Sequence, residues 1–216
     1  MATDDTSYDE QAVTRDHWWW RPGWSVGRSF YTWHITFAPA SPVRQLRGVF
    51  AQTFSTLPTM RPVGADGLHI TVQGIGFTDD VSSPDVDRIV DIARRNLAEL
   101  PRFTITIGPP TVDSETIQLP IADPDPLRAV RDRLQSAIAE VWGAANVPER
   151  GSAFRPHLTV GYSTGIAPIE ELRMRLEADE LGDYTVTDVV AEISLIELNR
   201  DHGRYEWRDV CSAALQ

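Results

Sequence analysis

Three of the five histidines stand in one repeated pattern of histidine, aliphatic residue, threonine and apolar residue: His34-Ile35-Thr36-Phe37, His69-Ile70-Thr71-Val72 and His157-Leu158-Thr159-Val160. On a β-strand, residues two apart share a face and lie about 6.5 to 7 Å from one another. Each motif therefore aims an imidazole and a hydroxyl in one direction while the residue between them enters the core. That pairing suits a phosphate group. Opening a cyclic phosphodiester needs a base to deprotonate the attacking water or hydroxyl and an acid to protonate the leaving oxygen on the opposite side of phosphorus. Two imidazoles with ordinary pKa values of about 6.5 can do both at neutral pH, one neutral and one protonated. Threonine hydroxyls can donate to the non-bridging oxygens, where negative charge is held through the displacement. No metal and no cofactor are required for it.

Strand parity extends the same faces. Gln73 shares the face of His69 and Thr71 and is expected either to contact substrate or to cap the rim of the cleft. Arg155, two residues before His157, shares its face unless Pro156 breaks the alternation, and either grips a phosphate or forms a surface ion pair. Tyr162 falls on the opposite parity to His157. His34 lies opposite a core-facing row of Tyr31, Trp33, Ile35 and Phe37. It either lines the same cleft as a substrate-orienting group or packs beneath a helix.

The elements that must carry these residues follow from patterning. Residues 29–37 read as a strand ending before Pro39 and Pro42, followed by a helix with Val43, Leu46, Val49, Phe50 and Phe54 at near-helical spacing. Residues 67–77 form the next strand, and Ser83-Pro84 supplies a cap and first-turn proline for a helix striped by Val86, Ile89, Val90, Ala93, Leu97 and Leu100. Phe103, Ile105 and Ile107 alternate with threonines in a strand expected to pair with residues 116–119. A helix over 126–145, a strand over 155–162, a helix opened by Pro168, a long strand within 184–198 and a strand at 205–210 pairing back on it complete the chain. Strand and helix thus alternate twice over, with one motif in each half. This order suggests an internal duplication into two facing lobes.

Residues 1–28 differ in character. An acidic opening leads into HWWWRPGW, in which Trp18, Trp19, Trp20 and Trp24 are interrupted by Pro22 and Gly23. We read an irregular N-terminal arm, its indoles anchored on an apolar surface more readily than stacked on a base. Residues 29–216 then form a single domain.

The formal net charge of −11 argues against a protein that coats long nucleic acid by counterion release. A few local arginines still allow one small nucleotide or RNA end to bind. Cys211 is the only cysteine, so no internal disulfide and no thiolate metal cluster can form within one chain, as befits a reducing compartment. No apolar run approaches the length of a membrane span, and the N-terminus lacks the pattern of a secretory signal. A soluble, cytoplasmic monomer is expected.

The segments GLHITVQGIGF at 67–77, FRPHLTVGY at 154–162 and SFYTWHITFAP at 29–39 together resemble the two-histidine phosphoesterase superfamily, in particular its bacterial 2'-5' RNA ligase-like cyclic phosphodiesterases. The resemblance spans roughly residues 29 to 200. That family has a pair of motifs, which maps onto His69 with Thr71 and His157 with Thr159 as the catalytic set. The motif of His34 stands outside the pair. The resemblance implies an α+β, bilobal, pseudo-two-fold domain, with two antiparallel sheets flanked by helices around a central cleft. It also implies a metal-independent phosphodiesterase acting on 2',3'-cyclic phosphates or related RNA-type or cyclic-nucleotide phosphodiesters, with reversible 2'-5' RNA ligation a possible variant. The expected partner is a nucleotide or short RNA with a cyclic phosphate or a 2',5' or 3',5' phosphodiester, and no membrane. Two rivals stand beside it. One is a non-catalytic nucleotide or RNA-end binding module, which would not need two proton-transfer groups. The other is a metal-dependent hydrolase, for which neither a His-x-x-x-His helix nor an acidic residue inside either motif is present.

Overall fold

The computed structural model describes residues 12–151 and 153–216, so the expectation for the acidic opening lies outside the described residues. Strand β1 (Phe30–Thr36) forms where aromatic and β-branched residues alternate, and it sends Trp33 and Ile35 into the core. The following helix is broken. A 3-10 turn (Pro42–Gln45), capped by Ser41, leads into two short helices, α1 (Leu46–Val49) and α2 (Ala51–Ser55), which part at the fully buried Phe50. Then come β2 (Met60–Pro62), β3 (His69–Phe77) and α3 (Ser83–Leu97). The cap of α3 is Ser82 rather than Ser83: its Oγ accepts from the Asp85 backbone N–H at 3.3 Å, with Pro84 in the first turn.

Strands β4 (Phe103–Ile107), β5 (Thr111–Val112) and β6 (Thr116–Pro120) precede α4 (Asp125–Trp142), and β7 (His157–Ser163) precedes α5 (Ile169–Ala178). The chain closes with β8 (Val186–Val190), β9 (Glu192–Asn199) and β10 (Glu206–Ala214). The main sheet is antiparallel in the order β10-β9-β1-β3-β7-β6-β5, with β2 also on β7. Its two four-stranded halves meet only where β3 pairs with β7 through Ile70 and Leu158. This is the bilobal α+β arrangement expected.

One expected pairing is wrong. Strand β4 pairs with β8 in a separate two-stranded sheet, while residues 116–120 pair with β7. Gly108, at φ +112°, turns the chain away after β4, and a Cβ there would stand 2.4 Å from the Tyr184 carbonyl oxygen. Only the Ile107–Ile121 bridge still links β4 to the end of β6.

The arm from residue 12 to 28 starts along the β7 half and ends against the other, where Trp24 meets Phe30 and Phe77 and Arg28 pairs with Asp79 and Asp80. Thr14 N–H donates to the Ala167 carbonyl, Arg15 N–H to Ser114 and His17 N–H to Ser163, all at 2.8 to 2.9 Å. Glu115, nearly buried, gathers Arg15, Arg21, the His17 ring and the Trp19 indole. Among the described residues no helix is long and apolar enough to cross a membrane.

Candidate active site

Ile70 pairs with Leu158, and these are the middle residues of the two motifs. Because the strands run antiparallel, each histidine lies beside the other motif's threonine, and a local two-fold passes through the pair. Both aliphatic residues are fully buried, so the sheet face opposite them carries the polar set. His69, Thr71, His157 and Thr159 all line one cleft of about 290 Å³.

Each motif strand then carries an extra residue at the same place. His34 pairs with Thr71 and Trp33 with Gln73, leaving Val72 over. Gln118 pairs with Thr159 and Ile117 with Gly161, leaving Val160 over. A bulge reverses the parity of everything beyond it. The fifth residue after each histidine, Gly74 in one half and Tyr162 in the other, therefore comes round to the cleft. Their cross-strand partners, Thr32 and Thr116, line it too.

The same bulge removes Gln73 from the site. Its side chain is wholly buried, with Nε2 donating to the Gly74 and Pro148 carbonyls and Oε1 accepting from Gln135 of α4. Arg155 is also absent from the cleft lining. Strand β7 starts only at His157, and Arg155 is exposed before Pro156, giving its carbonyl rather than its guanidinium to the site.

That carbonyl fixes a tautomer. His157 Nδ1 lies 2.9 Å from the Arg155 oxygen, and His69 Nδ1 lies 2.8 Å from the Gly67 oxygen, again two residues upstream. A carbonyl can only accept, so both Nδ1 atoms carry hydrogen and both Nε2 atoms are left for proton transfer. His69 is walled in by the Tyr205 ring at 5.8 Å, the Trp207 ring at 5.5 Å and the His34 ring at 4.5 Å. Burial lowers its pKa to about 4, the nearby His157 adds to this, and the Gly67 bond offsets only part, so His69 is neutral at pH 7. His157 is exposed at the mouth.

His34 lines the cleft from beneath, almost fully buried. Its Nε2 is 3.1 Å from Thr71 Oγ1, and its Nδ1 has no partner among the described residues. An unpaired buried lone pair is cheaper than an unpaired buried N–H. The hydrogen therefore sits on Nε2, donates to Thr71 and leaves that hydroxyl's own proton free for a ligand. Burial, then the proximity of His69, holds the His34 pKa well below its ordinary value.

Parity reasoning missed the far wall. His17, Arg21 and Trp24 of the arm, Arg200 beyond β9, Tyr205 and Tyr162 all line the cleft. The arm is held by its backbone bonds, by Glu115 and by the half-buried Trp18 and Trp24, whereas Trp19 and Trp20 are exposed rather than packed on an apolar surface, and it reaches the site. His17 Nδ1 donates to Glu115 Oε2 at 2.9 Å and its Nε2 accepts from the Tyr205 hydroxyl at 3.0 Å, while its ring stacks on Tyr162 at 4.3 Å. Burial and the adjacent Arg21 lower the His17 pKa to about 4 against the pull of Glu115. The tryptophans at 18 to 20 and 24, with Arg21 among them, were the only hint of this wall.

No group of three or more His, Cys, Asp or Glu able to hold a metal occurs among the described residues. No curated protein matches the sequence significantly. The fold is similar to E. coli LigT complexed with 3'-AMP, with a TM-score of 0.64 at 22% identity over 88% of this chain and 99% of that one. It is also similar to a structure described as a phosphoesterase, at 0.62 and 20% over 87% and 98%, and to TT0787 of Thermus thermophilus, at 0.61 and 16% over 87% and 97%. The profile of the 2'-5' RNA ligase superfamily matches residues 36–202, a span that contains both motifs. The chain belongs to the 2'-5' RNA ligase superfamily, two-histidine phosphoesterases with activity of the phosphodiesterase or ligase type.

Proposed function

We propose that the chain is a metal-independent phosphodiesterase that opens 2',3'-cyclic phosphates on a nucleotide or short RNA. The observation that carries this reading is the matched pair of Nδ1 to carbonyl bonds, which presents two Nε2 atoms to one cleft. His69, desolvated and neutral, is the general base that takes the proton of the attacking water. His157, open to solvent, is the general acid that protonates the departing 2' or 3' oxygen. The Thr71 and Thr159 hydroxyls donate to the non-bridging oxygens. With the 5'-hydroxyl of a second RNA end in place of the attacking water, the two imidazoles keep these roles and the same site joins a 2',5' bond; in the reverse direction they exchange roles and the bond is cleaved back to the cyclic phosphate. E. coli LigT, in structures described as complexes with phosphate, 3'-AMP, ATP and NADP+, supports a nucleotide in this cleft. The net charge of −11 favours a small ligand over structured RNA.

The test is turnover of 2',3'-cyclic nucleotides by the purified protein in excess chelator. Activity should persist, and His69→Ala and His157→Ala should each lower kcat by roughly 100- to 10,000-fold, the usual weight of one acid or base. Activity restored only by a divalent ion would favour the metal-dependent rival. Tight nucleotide binding without turnover would favour the binding module.

A further inference from the structure

Arg200 is the one arginine of the cleft wall with no carboxylate partner among the described residues. Arg21, beside it in the lining, is matched by Glu115. Arg200 is only 3% exposed, and its Nη2 donates to the His17 and Trp19 carbonyls at 3.1 and 3.2 Å. Its Nη1 has no hydrogen-bond acceptor although it is shut off from solvent. The rings of Trp18, Trp24 and Tyr205 stand 5.5, 5.8 and 5.9 Å from the guanidinium carbon, at the outer reach of a cation–π contact. A buried guanidinium with an idle donor is normally met by an anion, and its planar fork matches phosphate.

We propose that Arg200 anchors a second anion site in this cleft, taking a phosphate of the substrate other than the one cleaved. The proposal rests on the cyclic-phosphodiesterase reading for the position of the first phosphate. The Tyr205 ring lies against both Arg200 and His69, so the guanidinium stands one aromatic ring away from the base. It reaches a neighbouring group of the nucleotide rather than the phosphorus under attack. Two sources supply such a group: a 5'-phosphate on the same nucleoside, or the internucleotide phosphate of an RNA end.

The full chain should be assayed on adenosine 2',3'-cyclic phosphate, on the same compound carrying a 5'-phosphate, and on the dinucleotide ApA ending in a 2',3'-cyclic phosphate. The kcat/KM of at least one of the latter two should exceed that of the first by tenfold or more, and the better one names the source. In Arg200→Gln this ratio should fall to near one. If the glutamine variant does not fold, because Nη2 also ties down the arm, Arg200→Lys keeps the charge without the fork and should lower the ratio at least threefold. Equal rates on all three substrates, or a ratio that survives in a folded variant, overturn the proposal. Calorimetric binding of adenosine 3',5'-bisphosphate against 3'-AMP separates this site from the catalytic reading. If no cyclic substrate is turned over, the catalytic reading fails, and a tenfold preference for the bisphosphate that Arg200→Gln abolishes still establishes the anion site. No preference refutes it.

Discussion

The imidazoles of His34 and His69 lie face to face, their planes 2° apart and their centroids separated by 4.5 Å. Two rings in such contact cannot both be charged, and His34, the more deeply buried, is the harder of the two to protonate. It therefore serves as a floor for His69 and as the donor that orients Thr71. His34→Phe keeps the ring face and deletes the donor. We expect kcat to fall roughly tenfold, less than the 100- to 1,000-fold typical of deleting an oxyanion donor outright. Thr71→Ala should cost more than His34→Phe, and the double variant no more than Thr71→Ala alone. Additive losses would show that His34 acts by some route other than Thr71.

Ile70 and Leu158 join the halves of the sheet at a single pair, so their packing sets the spacing of the two histidines. Leu158→Ala opens a cavity at a fully buried position and should destabilise the fold by about 2 to 5 kcal/mol. Its residual folded fraction should also lose kcat. His157→Ala, at an exposed position next in sequence, should lose kcat with its melting temperature within a few degrees of the parent. Denaturant titration with single-turnover kinetics separates the two. A Leu158→Ala protein of normal kcat would mean that the histidines are positioned independently of this contact.

How far the site could be read in advance turned on those same strands. Period-two alternation brought His69, Thr71, His157 and Thr159 to one face because each motif lies wholly before its bulge. It failed one step later, at Gln73 and Tyr162, because no residue type announces that Val72 or Val160 will be left unpaired. The residues around the bulges, HITVQG and HLTVGY, share the pattern through valine and then diverge, so the common break shows only in the paired register. The pairing of β4 was missed for a related reason. Its alternation specifies a strand but not a neighbour, and the partner β8 lies about eighty residues away, so only the turn at Gly108 and the tertiary fold choose it. The contributions of His17, Arg21 and Arg200 are likewise long-range, arranged around Glu115 and the arm carbonyls.

Stability should fall on mild acidification. The His17, His34 and His69 pKa values are all lowered on folding, to about 4 for His17 and His69 and well below the ordinary value for His34. In the unfolded chain these groups take up protons near pH 6.5, so between that value and about 4 the unfolded state binds more protons than the folded one. Stability due to them is fully present above about pH 6.5 and is lost as pH falls towards 4. The slope of unfolding free energy against pH should approach three protons near pH 5, at about 1.4 kcal/mol per proton and pH unit. The carboxyl of Glu115 adds its loss at lower pH. Burial alone would raise its pKa, but the Trp19 indole, Arg21 and His17 overcome this and hold it below the usual range. Urea titrations at half-unit steps from pH 7.5 to 4.5 measure the slope, and a flat profile would contradict the burial of these three rings.

The direction of proton transfer is the last expectation, and the rate profile decides it. If His69 is the base, kcat/KM, which reports the free enzyme, should hold its value down to about pH 5 and fall near pH 4, where His69 becomes protonated. A bound phosphate favours the charged imidazole beside it, so the acid limb of kcat should lie at higher pH than that of kcat/KM. A uridine 2',3'-cyclic substrate avoids titration of the base itself, and circular dichroism at each pH confirms that the protein remains folded. His34→Phe, which keeps the apolar wall over His69, should leave the acid limb in place. Trp207→Ala, which opens that wall to water, should move it towards 6.5. An acid limb of kcat/KM already at the ordinary imidazole value of about 6.5 in the parent protein would mean that His69 is not the base.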